Sequence, residues 1–250
     1  MRPLWVILLL VFLGGAGYLA FFRETVQRGA IKGATFMSEP IVVKTRDGVT
    51  IAGDFYSGGS RGVLFLHMMP ANRKSWTAFA EKLQSAGFSA LAIDLRGHGE
   101  SQGGPEGYKK FSDEEHQASR LDVEAAAEFL KEKGVVELSL AGASIGANLA
   151  LQYLVDKAEA HSAILLSPGL DYRGVKIDSA LQRLQTNQGV YLVASEEDSY
   201  SFESVQMLAT QTPLSDKRVL KIFQNSGHGT VMLEQNAEFM DELIGWLKKF

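Results

Sequence analysis

The 250-residue chain contains no cysteine. That absence excludes disulfides, thiolate metal sites, a cysteine nucleophile and a lipid-modified N-terminal cysteine. No basic tract is present and the formal net charge is −4, so a nucleic-acid partner is not expected. Beyond the first few dozen residues there is no internal repeat and no low-complexity tract. With 46% hydrophobic residues the chain is long enough to bury the core of one large domain.

One long apolar run is present. Pro3 to Phe22 carries no charge and is flanked by Arg2 and Arg23. Its length is about the 20 residues that a membrane-spanning helix needs. A cleaved signal is the competing reading, with Gly15-Ala16-Gly17 as its small-residue cleavage site. The run continues past that site, which favours an uncleaved, single-pass N-terminal anchor in the cell envelope over a secreted or periplasmic product. Arg2 on one side and Arg23, Arg28 and Lys32 on the other nearly balance the positive-inside rule. The expected organisation is therefore an anchor or signal over residues 1–24, a polar linker over 25–38, and one domain over 39–250.

Within that domain the pattern alternates. Ile41 to Tyr56 reads as a hairpin with Asp47-Gly48 in its turn. Gly62–His67, Phe88–Asp94, Val135–Leu140, His161–Leu166, Gly189–Ala194 and Arg218–Phe223 read as strands. Ser75 is placed to cap a helix carrying Trp76, Phe79 and Leu83. Ser112 with Glu115 resembles a capping box opening one long helix that runs through Leu130. Residues 171–187 read as irregular to helical, Ser201–Ala209 as a helix, and Thr230 onward as one closing helix. A hairpin followed by alternating strands and helices implies an α/β fold: a mostly parallel central sheet with helices on both faces. In such sheets, ligands bind beyond the C-terminal ends of the strands.

The residues at those ends carry chemistry. Gly142-Ala143-Ser144-Ile145-Gly146 lies between an apolar strand and a helical pattern marked by Leu149, Tyr153 and Leu154. A serine on a sharp strand-to-helix turn lifts its hydroxyl above the sheet, and small neighbours let helix and strand pack closely. Serine needs a base, and the base needs an orienting carboxylate. His228 lies in a glycine-flanked loop after the last strand, and Asp198 follows the strand before it, with Glu196 and Glu197 as neighbouring alternatives. The order Ser144, Asp198, His228 suits this type of sheet. His98, in a glycine-rich turn, is a rival base read as structural, as are His116 and His161. An oxyanion hole requires two backbone N–H donors. Ile145 supplies one, and the loop after His67 supplies the other from Met69 or Met68.

Taken together, His67-Met68-Met69-Pro70, Asp94 to Ser101, Gly142 to Gly146, Ala194 to Asp198 and Ser226 to Gly229 resemble the α/β-hydrolase superfamily over residues from about 40 to 250. The resemblance implies nucleophile Ser144, acid Asp198, base His228, and an oxyanion hole at Met69 and Ile145. Met68 and Tyr172 are expected to line the substrate pocket. The resemblance implies neither metal nor organic cofactor. Members often carry His-Gly where this chain has His67-Met68. Only about twenty residues fill the interval in which lipase-like members insert a cap, which points to an open site of the small-esterase or dienelactone-hydrolase-like kind. The expected activity is a serine carboxylic-ester hydrolase acting on a small ester or a lipid. The alternatives are a lysophospholipase or monoacylglycerol lipase at the membrane, a serine peptidase, and an inactive binding module of the same fold.

Overall fold

The structure is a computed structural model that describes residues 37–250 of the chain. The apolar stretch 3–22 and nearly all of the expected linker lie outside the described residues. Among the described residues, no helix is long and apolar enough to cross a membrane.

Eight strands form one sheet. In chain order they are β1 (Ser38–Lys44), β2 (Thr50–Tyr56), β3 (Arg61–Leu66), β4 (Ser89–Ile93), β5 (Glu137–Ala143), β6 (Ala160–Leu166), β9 (Gly189–Ser195) and β10 (Arg218–Phe223). A separate two-stranded hairpin, β7 (Asp171–Tyr172) and β8 (Val175–Lys176), follows β6. The sheet order is β1-β2-β4-β3-β5-β6-β9-β10. β1, β2 and β4 pair antiparallel; every other pairing in this eight-stranded sheet is parallel.

The strands read as apolar runs because both faces are covered. On β3, Val63 and Phe65 point to one core while Leu64 and Leu66 point to the other. The first core also receives Trp76 and Phe79 from α1 (Thr77–Ser85) and the turn before it, and Phe239, Leu243 and Trp246 from α7 (Ala237–Leu247). On the opposite face lie Val123 and Leu130 of α3 (Arg120–Glu132), Leu149 and Leu151 of α4 (Ile145–Asp156), and Val205 and Leu208 of α5 (Ser199–Ala209).

Four local expectations are corrected. The cap of the first helix is Asn72, not Ser75: its side chain accepts the Lys74 N–H at 3.0 Å and opens a 3-10 turn, Arg73–Trp76, that leads into α1. The Ser112–Glu115 capping box is present, but it opens only the short α2 (Asp113–Gln117). Tight i→i+3 bonds at Ala118 and Ser119 separate α2 from α3 and turn buried Asp122 toward Arg96. The closing helix is divided into α6 (Val231–Gln235) and α7, because Asn236 leaves the helical region (φ −131°, ψ 72°) and donates to the Ser226 hydroxyl at 3.1 Å. Residues 171–176 form a hairpin, not irregular structure. Their two-residue turn is Arg173-Gly174, with φ +53° and +78°.

Candidate active site

The parallel register brings one set of strand ends together. Leu66 of β3 pairs with Gly142 of β5, Ala143 with Leu166 of β6, and Ser195 of β9 with Phe223 of β10. The chain segments leaving these residues share one edge of the sheet, and they carry every sequence-predicted site residue.

Ser144 stands between β5 and α4 with φ 54° and ψ −121°. A left-handed backbone at a non-glycine residue costs on the order of 1–3 kcal/mol. The fold holds it there through the Ser144 N–H donated to Leu166 O at 2.9 Å and through close helix–strand packing. A Cβ on Gly142 would meet the Gly146 carbonyl, and a Cβ on Gly146 would meet the Leu66 and His67 carbonyls. Both glycines are therefore requirements of the turn. Ile145 is the first residue of α4, so its N–H has no acceptor within the helix.

His228 Nδ1 lies 2.6 Å from Asp198 Oδ2. Burial works against the Asp198 charge, but hydrogen bonds from His228, Ser201 and Ser167 outweigh it and hold the carboxyl below its ordinary pKa. The neighbouring Glu197 has a different place. Its carboxylate accepts the Gly227 N–H at 2.6 Å and the Ser195 hydroxyl, and so fixes the loop that carries His228. Ser195 Oγ in turn accepts the Ser226 N–H at 2.9 Å. The Gly229 N–H donates to Ser167 Oγ at 3.0 Å.

Tyr172 reaches the same spot from the hairpin. Its hydroxyl lies 3.0 Å from Ser201 Oγ, and its ring stands perpendicular to the His228 ring with centroids 6.5 Å apart. Burial raises the Tyr172 pKa, partly offset by its hydrogen bond with the Ser201 hydroxyl. The arrangement thus joins Asp198 to His228, and Tyr172 to Ser201. Among the described residues, Ser144 and His228 share no hydrogen bond with each other. Catalytic hydrogen bonds are often formed only once substrate is bound.

The loop after β3 is tied from beneath. His67 is fully buried; its Nδ1–H donates to Met68 O at 2.8 Å and its Nε2 accepts the Leu95 N–H at 3.0 Å. Burial lowers its pKa and keeps it neutral. Asp94, also fully buried, accepts the Arg73 and Glu100 N–H groups at 2.8 Å and binds the Arg73 guanidinium. Among the described residues, the Met69 N–H is not taken by any other backbone group. The Met68 side chain reaches the His228 loop, where a Cβ on Gly229 would meet its sulfur. Met69 instead lines a pocket of about 320 Å³ together with Tyr108, Phe111, Lys109, His116 and Arg173. A larger cavity, about 620 Å³, lies between β1 and α3 and is lined by none of the sequence-predicted site residues.

His98 is buried away from this chemistry. It stacks on Tyr108 with centroids 4.0 Å apart, its Nδ1–H donates to Arg96 O at 3.0 Å, and burial brings its pKa down to about 4. Sequence reasoning missed Ser167, Ser201 and Asn148. Asn148 is fully buried in α4. Its amide donates to Gly169 O and Val175 O, both at 2.7 Å, and its carbonyl accepts the Gly169 N–H at 3.2 Å. These bonds clamp the segment bearing Tyr172 onto the helix that follows Ser144. An amide four residues after the serine, in the apolar first two turns of its helix, was the one available signal. Among the described residues, no cluster of side chains suited to a metal ion is present.

Residues 60–232 match the family model described as serine aminopeptidase, S33. The chain is 32% identical over 127 residues to the AB hydrolase superfamily protein YisY of Bacillus subtilis (strain 168), covering 50% of this chain and 44% of that protein. It is 39% identical over 69 residues to the non-heme chloroperoxidase CPO-A1 of Kitasatospora aureofaciens, covering 27% and 24%. The chain thus spans less than half the length of these curated relatives. Among solved structures, the Pyrococcus furiosus esterase Pf2001 superposes with a TM-score of 0.71 at 20% identity, over 86% of this chain and 91% of that one. An esterase from Exiguobacterium antarcticum gives 0.64 at 17% identity, over 84% and 100%. These superpositions concern the fold.

Proposed function

This chain belongs to the S33 serine aminopeptidase family of the α/β-hydrolase superfamily, and from that premise we propose that it is a serine hydrolase of carboxylic esters. The observation that carries the reading is the strained Ser144 turn set beside an Asp198–His228 pair 2.6 Å apart. In this reading His228 Nε2 takes the Ser144 proton as Oγ attacks the acyl carbon. Asp198 holds the Nδ1–H tautomer and favours the imidazolium that forms. The Met69 and Ile145 N–H groups hold the oxyanion. The alcohol leaves with the proton from His228, and water then attacks the acyl-enzyme along the same path in reverse. All the groups this needs are amino-acid side chains and backbone amides.

Aminopeptidase activity is the reading the family's description suggests. It needs carboxylates beside the site to hold a substrate α-ammonium. The adjoining pocket is lined instead by Arg173 and Lys109, and by no acid, which favours an ester over an N-terminal peptide. The apolar N-terminal stretch would hold the enzyme at a membrane, where a lysophospholipid or monoacylglycerol would be at hand. Carbonate extraction of membranes from cells expressing the full chain tests this: release into the supernatant would refute the anchor.

The test of the activity is hydrolysis of p-nitrophenyl esters of graded chain length by the full chain and by Ser144→Ala. Turnover that vanishes in the variant supports the reading, and a long-chain optimum moves it toward lipids. Equal turnover by pure Ser144→Ala protein refutes it.

A further inference from the structure

The pocket beside the site has a one-sided charge. Met69, Tyr108 and Phe111 form its apolar walls, Arg173, Lys109 and His116 supply its polar groups, and no carboxylate lines it. The Lys109 ammonium is already matched by Glu106 at 2.6 Å. His116 is buried, and burial followed by the Arg173 charge lowers its pKa, against the opposing pull of Asp113 and Glu115. The His116 imidazole and the Arg173 guanidinium line the same pocket.

Arg173 is the unmatched charge. The carboxylate closest in sequence, Asp171, is engaged elsewhere: Oδ1 accepts the Gly174 N–H at 2.8 Å and Oδ2 lies 3.9 Å from Lys176 Nζ. Among the described residues, Arg173 has no ion-pair partner. It also occupies a backbone position that disfavours it. With φ +53° at the first central residue of a two-residue hairpin turn, asparagine or glycine would fit at lower cost. Strain of this kind persists where the surrounding structure fixes it and often marks a working residue. The surroundings do fix it. A Cβ on Gly174 would meet the Gln117 amide, so the hairpin tip is seated on α2, and Asn148 clamps the hairpin's base. Met69, the candidate oxyanion donor, lines the same pocket as Arg173, which sets the pocket beside the candidate site.

We propose that Arg173 is a specificity-determining residue, and that the preferred substrate is an ester bearing a negatively charged group, carboxylate or phosphate, which this pocket receives. The proposal rests on the ester-hydrolase reading above. The apolar walls take the chain between the scissile ester and the anion, and the guanidinium takes the anion through charge-assisted hydrogen bonds.

The experiment compares kcat/KM on three substrates: a p-nitrophenyl monoester of a straight-chain dicarboxylic acid, a neutral p-nitrophenyl ester of matching length, and an acylated glycerol phosphate. It uses the full chain and its Arg173→Asn variant, whose new residue suits the left-handed turn and so keeps the fold. Wild type is expected to favour an anionic ester over the neutral one. In the variant that ratio should fall by about tenfold, the order of one hydrogen bond to a charged group. Whichever anionic substrate loses more identifies carboxylate or phosphate as the recognised group. A wild type without preference, or a variant that loses both activities in equal proportion, overturns the proposal. A thermal-shift titration with a dicarboxylate and its neutral diamide separates the two readings. Stabilisation by the dicarboxylate that disappears in Arg173→Asn, without ester turnover, leaves the anion site standing and removes the ester-hydrolase reading. Turnover of neutral esters with no such stabilisation does the reverse.

Discussion

Replacing Ser144 by glycine should stabilise the protein relative to Ser144→Ala, while both variants lose hydrolysis. The two substitutions remove the same hydroxyl, so their difference isolates the backbone. At φ 54° and ψ −121° an alanine keeps the Cβ clash, which costs on the order of 1–3 kcal/mol. Glycine removes the clash but carries about 0.4–1 kcal/mol more unfolded-state entropy. The balance is a gain of about 1 kcal/mol for glycine over alanine. For a domain of this size that is roughly 2–4 °C in Tm. Differential scanning calorimetry on the two variants, paired with urea midpoints, measures it. A glycine variant equal to or less stable than the alanine variant would show that the turn stores no strain. The case for Ser144 as a residue held for chemistry would then lose its structural support.

Three other outcomes are expected. Asp198→Asn should lower kcat by roughly 10⁴-fold, because the wrong His228 tautomer is then favoured; Glu197→Gln, which touches only the loop and Ser195, should cost far less, and equal losses in steady-state assays would contradict the assignment. Asn148→Leu should destabilise the domain by about 3 kcal/mol, since three buried backbone groups lose their partner, and hydrogen exchange should rise in residues 167–176; unchanged exchange there would refute the clamp. Arg96 draws the Asp47 pKa down to about 2 from 3.8. A lowered carboxylate contributes fully above its unfolded value and loses that contribution as pH falls toward the folded one. Asp47→Asn should therefore trail wild type by a constant margin above about pH 4, and the gap should close as pH approaches 2 in acid titrations of urea stability. A gap that widens with acid would reverse the sign.

The strands and the serine turn were legible because their signals are local. An apolar run such as Gly62–Leu66 and a Gly-x-Ser-x-Gly corner mean the same thing wherever the chain runs. What sequence could not show depended on distant partners. The closing helix breaks at Asn236 because its amide is drawn to Ser226, ten residues earlier. The segment from Ser112 breaks at Ala118 and Ser119, where Asp122 is committed to Arg96. The β7–β8 hairpin has strands of two residues, too short for any periodicity, and its Arg173-Gly174 turn stands out only once φ is known. The choice of Asp198 over Glu197 likewise rests on which carboxylate the strand end turns toward His228.

The central claim is that Ser144 is a nucleophile activated by His228. Its most direct test is labelling of the full chain with a fluorophosphonate, with the modified residue located by peptide mass spectrometry. The account predicts a single adduct on Ser144, lost in Ser144→Ala and strongly slowed in His228→Ala. Folded wild-type protein that remains unlabelled, or that carries the adduct on another residue, would contradict it.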